Sequence, residues 1–482
     1  MKPEDLFDAI GMAEDAMVEK AHRAKRKKLY QRTSFFYGVV AAVLVVALGI
    51  GILAKGIPGK QAKNAYAIAE AVYPTMNKMP YEDDYMEDDN WDAFYVADDI
   101  WQADKEKQRE YYDKTIDLSS FFETSMAEFL SGREGENTVY SPLNLYMALA
   151  MLAETTNGES REQILSLLDV PSIEQLRKDV VSVWNSNYSD DGQVTSILAN
   201  SLWLNENLKY KKEALTELAK TYYASSFCGN PEEEAYSQAL RDWLNEQTGG
   251  LLEDAVKGVA LDPSTIIALA STIYFKARWT DEFSTARTEP DIFYGETELT
   301  CDFMNRSDSG TYYWGEQFSA VNKGFHAYRG NCKITFVLPD EGVTPENLLS
   351  DPEVMDFLFG TNTWEKCKHL TINLSVPKFD VNSSMDLAGG LQNLGVTDVF
   401  SPAEADFSAI TDAPAYVTGA THSARVMIDE EGCTAAAFTL MLCGSGMPPE
   451  DEVDFVLNRP FLFMITSETG LPLFIGIVNS PA

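Results

Sequence analysis

The chain has 482 residues, 45% hydrophobic and 11% aromatic, enough for a sizeable core and too apolar for a wholly disordered protein. Asp and Glu number 74 against 38 Lys and Arg, and the formal charge of -36 repels a phosphate backbone, so no nucleic-acid partner is expected. Six cysteines (Cys228, Cys301, Cys332, Cys367, Cys433 and Cys443) form no C-x-x-C pair and no His/Cys cluster at zinc-ligand spacing, so small buried or free thiols are expected and no metal or cofactor.

Residues 1–33 include "PEDLFDAIGMAEDAMVEKAHRAKRKK", which sets Leu6, Ile10, Met17 and Val18 roughly on one helical face. Such a face docks a partner, lies on the inner leaflet, or is an ordinary amphipathic helix. Residues 34–54, "SFFYGVVAAVLVVALGIGILA", run without a charge for long enough to cross a bilayer as a helix. Arg23, Lys25, Arg26, Lys27, Lys28 and Arg32 precede that run, whereas only Lys55, Lys60 and Lys63 follow it closely. The positive-inside rule then keeps the N-terminus in the cytoplasm and sends the rest of the chain outside. A cleaved signal peptide is the competing reading, with Ala65-Tyr66-Ala67 as an A-x-A pattern, but the apolar run is long and the site lies far beyond it. The expectation is a single-pass cell-membrane protein.

Residues 55–115 change composition. The piece "YEDDYMEDDNWDAFYVADD" carries nine acids and no base, the pattern of a solvated extracellular tether. As a random coil, about sixty residues would have a mean reach on the order of 40 Å. Calcium is not expected there, because the spacing is not that of an EF-hand and no glycine stands at the turn position.

The folded unit is expected over residues 116–482. "LSSFFETSMAEFL" and "SPLNLYMALAMLAETTNGESREQILSLL" repeat apolar residues at helical spacing, the second with Ser141 as a cap and Pro142 in the first turn. Strands come later: "TSILANSLWL", "STIIALASTIYF", "CKITFVLP", "LTINLSVPKFDV" and "FLFMITSETGLPLFIGIVN" are β-branched or aromatic runs between turn residues. The helix-like "SQALRDWLNEQTGGLL" lies among them. Helices first and strands mostly later predict an α+β fold, and no later linker is long or polar enough to divide it.

Chemistry is sparse. Only His22, His326, His369 and His422 are present, and there is no G-x-S-x-G elbow, H-E-x-x-H, Walker loop or G-x-G-x-x-G after a strand. A Ser-His or Cys-His nucleophile has no positive support, since such partners are distant in sequence and leave no local mark. The stretch "DEEGCTAAAFTLMLCGSGMPPE" is ambiguous: Ala435, Ala436 and Ala437 suit a helix, whereas Thr439 to Leu442 suit a strand.

Residues from about Asp117 to Pro481 resemble a serpin along their whole length. The resemblance rests on "NTVYSPLNLYMALAMLAETTNGESREQILSLL", "WLNEQTGGLLED", "LASTIYFKARWTDEF", "VPKFDVNSSMDLAGGLQNLGVTDVFSPAEADFSAI" and "RPFLFMITSETGLPLFIGIVNSP", in that order. It implies three β-sheets, surrounding helices and an exposed reactive loop between His422 and Arg459, here preceded by a transmembrane helix. It also implies a monomeric suicide inhibitor, not an enzyme, whose loop inserts as a new central strand after the target protease has cut and acylated it. The alternative is a non-inhibitory serpin acting as a cell-surface binding module. A basic leader, one anchor and an acidic spacer resemble surface proteins of Gram-positive bacteria.

Residue by residue, the resemblance implies a loop hinge at Glu430, Gly432, Cys433, Thr434, Ala435, Ala436 and Ala437. Small side chains there suit entry between two existing strands, and Gly432 permits the change of direction. By alternation Cys433, Ala435, Ala437 and Thr439 share one face, and Thr434, Ala436, Phe438 and Leu440 the other. The sheet-opening region is implied at Ser141, Ser271, Trp279 and His422, with Ser271 standing where the family usually has asparagine. Counting from the hinge places the reactive bond at Gly446-Met447, and counting from Pro448-Pro449 places it at Ser445-Gly446. Neither bond offers the cation or bulk that trypsin-like or chymotrypsin-like pockets take. The expected target is thus an elastase-like or subtilisin-like serine protease, with a cysteine protease as the lesser option.

Overall fold

The computed structural model describes residues 65–80, 85, 90–112, 114, 116–130, 133–328, 330–360, 363–433 and 451–481. The expected anchor, residues 34–54, lies outside them, and among the described residues no helix is long and apolar enough to cross a membrane. From Ala65 onward the chain is one compact unit.

The first described elements correct the expected tether of 55–115 over residues 65–80 and 90–112, while residues 55–64 lie outside the described residues. Strand β1 (Ala67–Ala69) pairs antiparallel with β5 (Ala224–Gly229), and helix α1 (Trp91–Tyr112) packs on α5 (Ile173–Asn187). The buried positions of α1 are Trp101, Lys105, Gln108 and Tyr112, which share a face at three- and four-residue spacing. Two of the four are polar, so no apolar stripe betrays the helix. The folded unit begins about fifty residues before Ile116.

The expected helices follow as α2 (Ser119–Leu130), α3 (Pro142–Thr155) and α4 (Gly158–Leu167), with β2 (Thr138–Tyr140) between the first two. Ser141 caps α3 by accepting a hydrogen bond from the Asn144 N–H at 3.3 Å, with Pro142 in the first turn. Gly158, at φ +53°, breaks what reads as one long helix into α3 and α4. Helix α3 is apolar all round because it is buried all round, lying against both β6 (Ile267–Arg278) and β17 (Pro472–Val478).

One sheet runs β1-β5-β4-β6-β14-β13-β12, with β3 (Ser189–Asp190) paired to β4 (Val194–Asn205). Its far side is β12 (Phe379–Asp386), β13 (Thr421–Ile428) and the two-residue β14 (Gly432–Cys433). Helices α6 (Lys212–Thr221) and α7 (Glu234–Gln247) flank β5 in the chain, and Trp203, Phe227, Tyr236 and Trp243 form a core under α7. The short α8 (Glu253–Val256) leads on toward β6.

The other sheet runs β15-β11-β8-β9-β10-β16-β17-β2, with β7 (Glu289–Tyr294) on β8 (Glu298–Trp314). Its remaining strands are β9 (Phe318–Gly324), β10 (Lys333–Pro339), β11 (Cys367–Pro377), β15 (Glu452–Val456) and β16 (Phe461–Thr466). Helices α9 (Pro345–Leu348), α10 (Pro352–Phe359) and α11 (Ala388–Asn393) complete the set. The three implied sheets are thus two hydrogen-bonded ladders among the described residues. Strand β8 joins the other two: it pairs with β7 and β11 along its length, and its last residues, Tyr312 to Trp314, also pair with β9. The main core, including Met126, Tyr146, Trp184, Phe275, Ile334, Phe463 and Ile475, lies between the ladders.

Candidate functional site

Two groups of residues lie at the middle of the first sheet. At one end, β13 turns back at Asp429–Gly432 so that Gly432–Cys433 lies between β13 and β6. The Asp429 carboxylate accepts from the N–H groups of Glu431 and Gly432 at 3.0 and 3.2 Å, and the Gly432 carbonyl accepts from the Asp429 N–H at 3.1 Å. Gly432 has φ +154°, and a Cβ there would lie 2.2 Å from the Ala277 carbonyl oxygen, so only glycine fits without moving backbone. Cys433 pairs with Ala277 and Ile428 and is buried.

Trp279 fixes this turn from below. Its N–H donates to the Glu431 carbonyl at 3.0 Å and its Nε1 to the Asp429 carbonyl at 2.9 Å. The indole is fully buried, stacked on Phe325 at 4.5 Å between centroids. Lys323 Nζ lies over the Trp279 and Phe283 rings, and burial lowers its pKa to about 8. Glu430 accepts from Thr288 Oγ1 and Lys378 Nζ, each at 2.9 Å. Partial burial pushes its carboxyl up, but Lys378, a backbone N–H and Thr288 outweigh that and hold it below the usual carboxylate range.

The second group lies where α3 begins. The Ser141 N–H donates to His422 Nε2 at 3.1 Å, the ring meets Tyr140 edge-on, and burial pushes the imidazole down to about 4. Ser271 is reached separately: Asn144 Nδ2 donates to its carbonyl at 3.2 Å, and its hydroxyl lies 2.8 Å from Asn200 Oδ1 and against Asn144 Oδ1. Thus β13 and β6 are each tied to the start of α3, and among the described residues no ladder joins them to each other.

The structure therefore brings Ser141 and His422 together, places Ser271 next to them through Asn144, and puts Glu430, Gly432, Cys433 and Trp279 at one end of the same slot. Thr434, Ala435, Ala436, Ala437, Ser445, Gly446 and Met447 lie outside the described residues. Asn144 and Asn200 are the residues missed by sequence. Asn144, three places after a serine cap, is the one with a local signal. Because His422 accepts from a backbone N–H and the Ser141 hydroxyl accepts from the Asn144 N–H, these two do not make a serine nucleophile and its base. Among the described residues no group of acidic, His and Cys side chains could hold a metal ion.

Two ladders flanked by helices, the first with a two-residue strand set between β6 and β13, define the class of the fold. The Serpin (serine protease inhibitor) family profile matches residues 118–481, and the chain belongs to that family. It is similar to alpha-1-antiproteinase of Rattus norvegicus, 28% identical over 403 residues that cover 80% of this chain and 94% of the relative. The native state of the thermophilic serpin tengpin superposes with a TM-score of 0.66 at 26% identity, covering 76% of this chain and 95% of that one. Thyroxine-binding globulin in complex with thyroxine shares the fold, with a TM-score of 0.65 at 22% identity, covering 76% and 99%. The inhibitor relatives of this chain act on proteases and are not themselves enzymes.

Proposed function

We propose that this serpin is a suicide inhibitor of an elastase-like or subtilisin-like serine protease, displayed outside a bacterial cell by the apolar segment 34–54. The observation that carries the reading is Gly432–Cys433, a two-residue strand already paired between β6 and β13. Zipping of the loop continues from a strand that is in place and needs no new nucleation. The target's serine attacks the Gly446 carbonyl, the Gly446-Met447 amide breaks, the Met447 amine leaves with a proton, and an ester holds the protease to Gly446. The segment 432–446 then enters beside β6. Its fifteen residues extend to about 50 Å and the twelve of β6 to about 40 Å, so the ester is carried the length of the sheet.

Mixing with pancreatic elastase and running a denaturing gel tests this. An adduct of protease plus cleaved serpin is expected. Clean cleavage without adduct would replace inhibition by a binding role. The first residue of the released C-terminal peptide, read by mass spectrometry, is expected to be Met447, or Gly446 in the alternative register; a start outside residues 444–448 refutes both. Protease added to intact cells should release the folded unit and leave residues before Ser34 protected, whereas a soluble form beginning at residues 64–70 would mean cleavage after Ala67.

A further inference from the structure

Residues 65–80 and 90–112 precede the part of the chain that the family profile matches, yet they are tightly bonded to it. Strand β1 covers the edge of the first sheet, with Ala67 opposite Phe227 and the Cys228 N–H donating to the Tyr66 carbonyl at 2.8 Å. Tyr73 completes an aromatic cluster with Trp184, Tyr188 and Tyr223 at centroid distances of 5.5, 5.9 and 6.3 Å. In α1, Gln108 Nε2 donates to the Asn185 and Tyr188 carbonyls at 3.1 and 3.0 Å, closing the C-terminal end of α5. Lys105 Nζ sits 2.6 Å from Asp191 Oδ2 with both side chains about 95% buried, 5% and 4% exposed, and it also reaches Ser189 Oγ at 3.2 Å.

Where this ion pair sits matters more than its strength. Asp191 accepts from the Val194 N–H at 3.0 Å, and Val194 is opposite Ala277, which on its other side is opposite Cys433. The pair is thus anchored at the hinge end of the sheet, on the wing β5-β4-β6 that borders the slot. Trp101, on the same helix, meets Tyr328 edge-on at 5.6 Å, and Tyr328 follows β9 of the other ladder. Helix α1 therefore bridges the wing and the second ladder. Cys433 already parts Ala277 from Ile428 at this end, so a strand that extends past it moves β6 from β13 by one further spacing, roughly 4.8 Å, along the rest of their length, and the wing must turn about the end that the ion pair holds.

We infer that residues 65–80 and 90–112 are a latch that holds the β5-β4-β6 wing against the second ladder and slows strand entry into the first sheet. The latch rests on the reading that the loop inserts. When the Lys105–Asp191 pair is broken, the wing moves more readily, and the uncleaved chain takes up a strand faster.

The test uses the full chain and a synthetic peptide of residues 433–446 with serine for both cysteines, whose incorporation is followed by native gel and by resistance to urea. Lys105→Met is expected to speed incorporation at least fivefold, and Tyr73→Ala, which leaves the ion pair intact, to act in the same direction should Lys105→Met fold poorly. A core variant outside the wing, Phe474→Leu, corrects for general loosening. Incorporation in both latch variants at the rate of the wild type or of Phe474→Leu, or more slowly, overturns the latch. A wild type that takes up no peptide and gains no urea resistance on loop cleavage overturns the insertion reading instead.

Discussion

Acidifying the protein from pH 7 to pH 4 is expected to cost about 3 kcal/mol through His422 alone. Burial pushes this imidazole from 6.5 down to about 4. A base whose folded pKa lies below its unfolded value binds fewer protons when folded, so its contribution is complete above pH 6.5 and is lost as the pH falls from 6.5 toward 4. The local cause is visible: Nε2 accepts from the Ser141 N–H at 3.1 Å, and a protonated ring, which only donates, turns that bond into a clash of two donors at the start of α3. The assay is the urea midpoint of the wild type and of His422→Gln, which keeps an acceptor but does not titrate, measured from pH 7 to pH 4. Carboxylate protonation is common to both chains and cancels in the difference. Parallel curves would refute the reasoning and mean that water or local opening already solvates the ring in the native state.

Other outcomes follow from the hinge. Gly432→Val introduces a Cβ against the Ala277 carbonyl, a strain of about 1–3 kcal/mol that is expected to shift partitioning from adduct to cleaved inhibitor by roughly tenfold; an unchanged gel pattern would show that β14 need not form. Ala435→Arg forces a charge into the closing sheet and should turn inhibitor into substrate, read as loss of adduct with cleavage retained. Lys323 has a folded value of about 8 against 10.5, so wild-type stability should rise by about 3 kcal/mol between pH 8 and pH 10.5 while that of Lys323→Met stays level. Loop cleavage should raise the melting temperature, because the new strand gains hydrogen bonds on both sides; equal melts of intact and nicked protein would remove the inhibitory reading.

Helix α3 and its serine cap are legible because apolar spacing, a capping hydroxyl and a proline in the first turn coincide. The pairing of β16 with β17 is legible for a similar reason, since two apolar runs flank a turn at Gly470. Helix α1 is hidden for the opposite reason. Lys105 and Gln108 occupy half of its buried positions, where the first finds Asp191 and the second the end of α5, and neither partner can be named from sequence. Asn200 sits in an apolar strand that reads as plain core, and only the fold brings it to Ser271 and to the Tyr222 carbonyl. The continuity of β8 is missed because its seventeen residues include Asn305, Arg306, Ser307 and Asp308, a polar run that is paired with β11 alone and open on its other edge.

Cys433 gives the hinge a chemical clock. Its side chain is 2% exposed while Gly432–Cys433 is held between β6 and β13, so a thiol reagent in solution meets it only when that strand is out of the sheet. Alkylation of Cys433 thus counts departures of the hinge in the unlabelled protein, one irreversible mark per molecule. The exposed Cys367 on β11 reacts at the same time and sets the scale for an accessible thiol. A bulky mark on Cys433 also bars the return, since the side chain's place in the sheet is buried, so each molecule is recorded at its first opening and then held there.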